Sequence, residues 1–130
     1  MKASAKNRRT APRKSVGGLH IKNLSVVDHF ELVAKRALLV DASSSGLMVQ
    51  INRKDLEPKE LRQNLTLQAL VGHNVMFEID EMELEIDGKI TRTKMIGKGI
   101  YEVAIDFTEG APEYWRECLV DLLPDKENQK

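Results

Sequence analysis

A chain of 130 residues, 42% hydrophobic and 31% charged, has the size and apolar content of one folded domain, which excludes an intrinsically disordered protein. Its 20 cations and 20 acids cancel, but their distribution is uneven: Lys2, Lys6, Arg8, Arg9, Arg13 and Lys14 make residues 1–14 purely basic, and the rest carries 14 cations against 20 acids, a net charge of −6. No apolar run approaches the roughly 20 residues of a membrane-spanning helix, and no apolar segment follows the basic N-terminus as a secretory leader requires. The single cysteine, Cys118, excludes an intrachain disulfide and argues against a cysteine-based zinc site, so the expected compartment is the cytoplasm and no membrane partner is expected.

Residues 1–18 read as a flexible basic arm. Such an arm is either a solubilising tail or a binder of anions, and its composition alone does not choose between them. Gly17-Gly18 predicts a loop, and residues 19–29 give a mixed signal. The run from Phe30 to Val40 fits helix or strand by itself. Its apolar end, Ala37–Val40, followed by the turn cluster Asp41–Gly46 and then Leu47–Ile51, predicts two strands joined by a polar loop. Residues 52–64 are polar, with Pro58 opening a short helical turn. Val75, Phe77 and Ile79 alternate as in a half-buried strand. Leu84 and Ile86, then Asp87-Gly88, then Ile90 predict a two-residue hairpin at the Asp-Gly pair. After a turn at Gly97–Gly99, Tyr101, Val103, Ile105 and Phe107 line one face of another strand. Pro112 and Glu113 open a helix whose inner face holds Trp115, Leu119 and Leu122, and Pro124 stops it. Cys118, on that helix, reads as a small buried hydrophobe. The fold class is therefore mainly β, a small antiparallel β-barrel with a C-terminal α-helix. The domain spans residues 19–124, and 125–130 form a polar tail.

Catalytic chemistry has little support. His20, His29 and His73 have no local motif, and the acids at Asp80, Glu81, Glu83, Glu85 and Asp87 read as a solvated strand face. There is no P-loop, no GxGxxG and no metal-ligand spacing. No catalytic residue, cofactor or metal is expected.

Two motifs, each weak alone, gain meaning together. Arg9 and Arg13 form an Arg-x-x-x-Arg pair in the arm, and Asp41, Ser43 and Gly46 form Asp-x-Ser-x-x-Gly in the turn. In this order, with 27 residues between Arg13 and Asp41 and a small β-domain downstream, the chain resembles the PilZ family, bacterial receptors for the second messenger cyclic di-GMP. Residues 88–92 and 101–107 look like that family's last strands, and the helix around Trp115 looks like its C-terminal helix. The resemblance spans roughly residues 8–123. It implies a PilZ-like barrel and a receptor that binds cyclic di-GMP through Arg9, Arg13, Asp41, Ser43 and Gly46. Arg8 is an auxiliary contact by proximity. It further implies signalling by ordering of the arm toward a downstream protein partner of unknown identity.

The chemistry of the residues suits such a ligand. An arginine fork pairs with guanine O6 and N7, grips phosphate bidentately and stacks on a base. A carboxylate accepts from guanine N–H groups, a serine hydroxyl reaches a phosphate or base, and a glycine lets backbone approach a flat ring. Charge-assisted bonds of roughly 1.5–3 kcal/mol each, less the ordering of the arm, give an affinity of about micromolar. Two other readings stay open. One is a PilZ-like adaptor that has no nucleotide and binds only protein. The other is a small nucleic-acid-binding barrel, disfavoured by 5% aromatic content and an acidic body, so no nucleic-acid partner is expected.

Overall fold

The computed structural model describes residues 13–28, 31–63, 67–108 and 111–124. Six strands, β1 (Lys14–Val26), β2 (Glu31–Ser43), β3 (Gly46–Asn52), β4 (Asn74–Ile79), β5 (Leu84–Gly97) and β6 (Ile100–Phe107), close into an antiparallel barrel in the order β1-β2-β3-β6-β5-β4. Helix α1 (Lys59–Gln63) follows Pro58 in the β3–β4 connection, and α2 (Glu113–Leu122) follows the last strand. Closure comes from β1, which pairs with β2 on one side and β4 on the other, so each strand has a neighbour on both sides.

The alternation read from sequence is the alternation of the core. Val75, Phe77 and Ile79 in β4, and Tyr101, Val103, Ile105 and Phe107 in β6, all point inward and are buried. From β1 come Leu19, Ile21, Leu24 and Val26, and from β2 come Val33, Ala34, Ala37, Leu39 and Ala42. Beyond Ile90, β5 leaves the core, and the β5–β6 hairpin ends at Lys98–Gly99 with Met95 and Ile96 exposed.

Three local expectations are corrected. Gly17-Gly18 are not a loop outside the domain. They lie within β1, between the pairs Ser15–Asp41 and Leu19–Leu39, where the register shifts. The barrel therefore starts at Lys14, inside the expected arm.

Asp87-Gly88 do not turn either. β5 runs through them, with Gly88 opposite Val75 on one side and Phe107 on the other. The chain reverses earlier, at a 3-10 turn over Asp80–Met82 closed by Glu83 at φ 49°. Gly88 serves close packing: a Cβ there would stand 2.4 Å from Ile105 Cγ2 and 2.7 Å from the Asp106 carbonyl oxygen.

The third correction is in α2. Trp115 and Leu119 face the barrel as expected, but Leu122 is exposed and Leu123, just past the helix end, is buried in its place. Cys118 is exposed as well. The inward positions step by four, from 115 to 119 to 123, and that stripe leaves 118 and 122 on the outer side.

Helix α2 covers the end of the barrel where β1 begins and β2 and β6 end. Its Trp115 ring meets Phe107 edge-on, with centroids 5.9 Å apart at 83°.

Candidate functional site

The first residues of β1 pair with the last of β2, Ser15 opposite Asp41 and Lys14 opposite Ala42. This ladder brings Arg13, the residue just before β1, to the Asp41–Gly46 turn. A second feature aims the carboxylate. Between Leu39, opposite Val49, and Asp41, opposite Met48, β2 holds one extra residue, a bulge at Val40. Strict alternation from the inward Leu39 would send Asp41 into the core. The bulge shifts the parity, so Ala42 faces in and Asp41 faces out.

Outside the barrel, Asp41 meets Arg13. Arg13 Nε donates to Asp41 Oδ2 at 2.9 Å, and the Ala42 N–H donates to Oδ1 at 2.8 Å. Both carboxylate oxygens are thus engaged, one by the guanidinium and one by the backbone. The Arg13 side chain is 51% exposed and that of Asp41 28%, so water competes for the pair.

Ser43 is 2% exposed, and its hydroxyl is turned into the hairpin tip. Its Oγ lies 2.8 Å from Ser45 Oγ and accepts from the Ser45 N–H at 3.2 Å. These bonds shape the Ser44–Ser45 tip that joins β2 to β3. Gly46 pairs with Ser43 across the tip and with Asp106 of β6. A Cβ on Gly46 would stand 2.3 Å from the Ile105 carbonyl oxygen and 2.9 Å from Asp106 Cα, so the missing side chain admits β6 backbone. Arg8 and Arg9 lie outside the described residues.

Next to this turn runs an open groove of about 270 Å³ on the outer wall, lined by residues that include His20, Arg36, Leu38, Gln50 and Asn52. Its floor is formed by the register row His20–Leu38–Gln50 across β1, β2 and β3. Leu38 is exposed there, three residues along β2 from Asp41. The groove and the Arg13–Asp41 pair are therefore on the same wall, about 10 Å apart.

Two further cations reach this end of the barrel. Lys14 Nζ donates to the Val120 carbonyl at 3.0 Å, and Arg116 Nη1 donates to the Ser44 carbonyl at 3.2 Å. Arg116 Nε is buried and has no hydrogen-bond partner among the described residues. The sequence marks Lys14 only as one cation of the basic arm and does not mark Arg116 at all. Their roles depend on where α2 docks, and no local pattern encodes that.

No family model matches the chain, and no curated protein matches it.

His20 in the groove floor and Lys22, two residues along β1, also make ionic contacts. The His20 backbone N–H donates to Glu81 Oε1 at 2.7 Å, its ring Nδ1 lies 2.5 Å from Glu81 Oε2, and Lys22 Nζ lies 3.1 Å from Asp80 Oδ1. They tie the Asp80–Met82 turn to β1. Burial pushes the Glu81 carboxyl up, but the hydrogen bonds from His20 outweigh it and hold the group below its ordinary range. Among the described residues no three His, Cys, Asp or Glu side chains are grouped to hold a metal ion. No helix there is long and apolar enough to cross a membrane. The Arg13 end of the barrel thus presents a half-exposed guanidinium, a carboxylate held by two donors, and a neighbouring groove carrying two amide side chains.

Proposed function

We propose that the chain is a receptor for cyclic di-GMP that does no chemistry of its own. One observation supports this above the others: the 2.9 Å contact between Arg13 and Asp41, which brings one arginine of the Arg-x-x-x-Arg pair onto the first residue of the Asp-x-Ser-x-x-Gly turn, 28 residues away in sequence. The exposed pair is worth only about 0–1 kcal/mol, whereas each charge-assisted bond to a phosphate or guanine contributes roughly 1.5–3 kcal/mol. An arriving ligand therefore gains by opening it. Arg13 then grips a phosphate or the guanine O6 and N7, and Asp41 accepts from guanine N–H groups. Leu38, Gln50 and Asn52 in the groove supply an apolar contact and two amides for a base. The bacterial setting and the kinship to PilZ receptors belong to this same proposal.

Signalling in this reading comes from ordering the segment that carries Arg8 and Arg9 over the ligand. Residues from Lys14 on take no part in that step, because β1 is already paired there.

Calorimetric titration with cyclic di-GMP tests the proposal, with wild type and the Arg9→Ala/Arg13→Ala double variant compared and with GTP and a short single-stranded DNA as competitors. Saturable binding near micromolar, lost in the double variant and not displaced by DNA, supports the receptor. Folded wild type that takes up no cyclic di-GMP refutes it.

A further inference from the structure

The two cations that hold α2 in place both reach into the candidate site. Lys14 follows Arg13 in the chain, and its ammonium is bonded to the carbonyl of Val120 in the last turns of α2. Arg116 projects from the middle of α2, and its guanidinium is bonded to the carbonyl of Ser44, at the tip between Ser43 and Gly46. One tether thus runs from the site to the helix and the other from the helix to the site. Among the described residues neither cation is paired with a carboxylate, although Glu113, Glu117 and Asp121 lie on the same helix. Both bonds end on neutral carbonyl oxygens. A cation in that position binds an anionic oxygen more strongly when one is presented.

The seat of α2 is also incompletely satisfied. Arg116 Nε–H is buried without a partner, so its desolvation is not recovered where the helix is docked. Apolar contact does the remaining work: Leu119 and Leu123 are buried, and Trp115 meets Phe107.

We infer that α2 is the output element of the site, released when a phosphate of the bound ligand takes Lys14 and Arg116 from the Val120 and Ser44 carbonyls. The inference rests on the cyclic di-GMP reading and adds its regulation. Arg13 is bonded to Asp41, three residues before Ser44 in the same turn, so a phosphate that takes Arg13 arrives between the tether on the next residue, Lys14, and the tether on Ser44. Exchange of carbonyl for phosphate strengthens both bonds and removes these two polar ties of α2. The helix then undocks and uncovers Trp115, Leu119, Leu123 and the barrel end around Phe107, an apolar surface that exists only in the liganded state.

The chain carries its own reporters. Trp115 is its only tryptophan and Cys118 its only cysteine, both on α2. Cyclic di-GMP is titrated into the full chain while calorimetry records binding, Trp115 emission records its environment, and hydrogen exchange follows the amides of residues 113–123. The expected result is a red shift of Trp115 emission and at least tenfold faster α2 exchange, both saturating with the calorimetric curve. Binding with unchanged or slowed α2 exchange overturns the inference and leaves the receptor standing. Absence of binding removes the receptor and the inference with it. Lys14→Met and Arg116→Met, each without a donor, are expected to show the red-shifted emission before ligand is added, and Arg116→Lys is expected to restore the docked signal. Wild-type emission in both methionine variants, with the barrel folded by circular dichroism, also overturns the inference. Lys14→Met serves if Arg116→Met does not fold.

Discussion

Arg13 and Asp41, 28 residues apart in sequence, are 2.9 Å apart in space because the start of β1 pairs with the end of β2 and a bulge at Val40 turns the carboxylate outward. Half-exposed ion pairs contribute little to folding, and the β1–β2 ladder continues without this one. Asp41→Ala is therefore expected to keep the urea midpoint within the equivalent of about 1 kcal/mol. In a cyclic di-GMP titration the same variant is expected to bind tenfold to a hundredfold more weakly, since a charged hydrogen bond to the ligand is worth roughly 1.5–3 kcal/mol. A large fall in stability with unchanged affinity would assign Asp41 to the fold.

Arg13→Lys separates two kinds of anion recognition. Nucleic-acid backbone is held by charge, so lysine substitutes with modest loss and binding falls steeply with salt. A ligand gripped by a fork and stacked on its plane needs the guanidinium. The expected outcome is at least tenfold weaker cyclic di-GMP binding by Arg13→Lys, measured at one fixed salt concentration.

Gly46→Ala is expected to act through the barrel. The added Cβ would stand 2.3 Å from the Ile105 carbonyl oxygen, and β6 can yield only by giving up its pairing with β3. The cost is about 1–3 kcal/mol, typical of overpacking in a well-packed interior, and is read as a lower urea midpoint. Gly88→Ala meets Ile105 Cγ2 at 2.4 Å and the Asp106 carbonyl at 2.7 Å and is expected to behave alike. Weak ligand binding by Gly46→Ala at a temperature where it is partly unfolded would carry no information about the site. The comparison belongs well below its melting transition.

These glycines also show what the sequence makes legible. Alternation in β4 and β6 is a local signal, and it places Phe77, Tyr101 and Ile105 in the core correctly. The barrel follows from that alternation and the turns at Asp41–Gly46 and Gly97–Gly99, and the C-terminal helix from the four-residue step between Trp115 and Leu119. Asp87-Gly88 has hairpin composition, yet what decides its conformation is the close approach of β6, a neighbour fixed only by the whole topology. Arg13 and Asp41 are legible as motif residues, whereas the bulge that lets them meet has no signature in the chain. Lys14 and Arg116 are invisible for a related reason, since their partners are backbone carbonyls that any residue could supply.

The ties between β1 and the Asp80–Met82 turn set opposite pH dependences. Hydrogen bonds from His20, outweighing burial, depress the folded-state pKa of Glu81 below 4.5. Its contribution is therefore full above about pH 4.5 and lost as pH falls through the folded value. Lys22 is raised above 10.5, first by its hydrogen bond to Asp80 and then by the charges of Asp80 and Glu78. Its contribution is full below about pH 10.5 and lost as pH rises through the folded value. The Glu81 side chain is 36% exposed, so solvent screening keeps its contribution under about 1 kcal/mol. Glu81→Gln is expected to flatten the acid limb of melting temperature against pH while leaving the alkaline limb alone, and Lys22→Met to do the reverse.

Cys118 gives the simplest check on how α2 sits. Inward positions at 115, 119 and 123 put residue 118 on the solvent side, where its thiol is exposed. Thiolate reactivity follows access and ionisation. A docked, exposed Cys118 is expected to react with an aromatic disulfide reagent in native buffer, one thiol per chain, at a rate within a few-fold of that in denaturant. Cys118→Ser is expected to leave the melting temperature unchanged, because no core contact is lost. A thiol that reacts only after unfolding would mean that α2 is rotated so that 118, and with it 122, faces the barrel. Trp115 could then not keep its edge-on contact with Phe107, and that contact is read independently from the tryptophan emission.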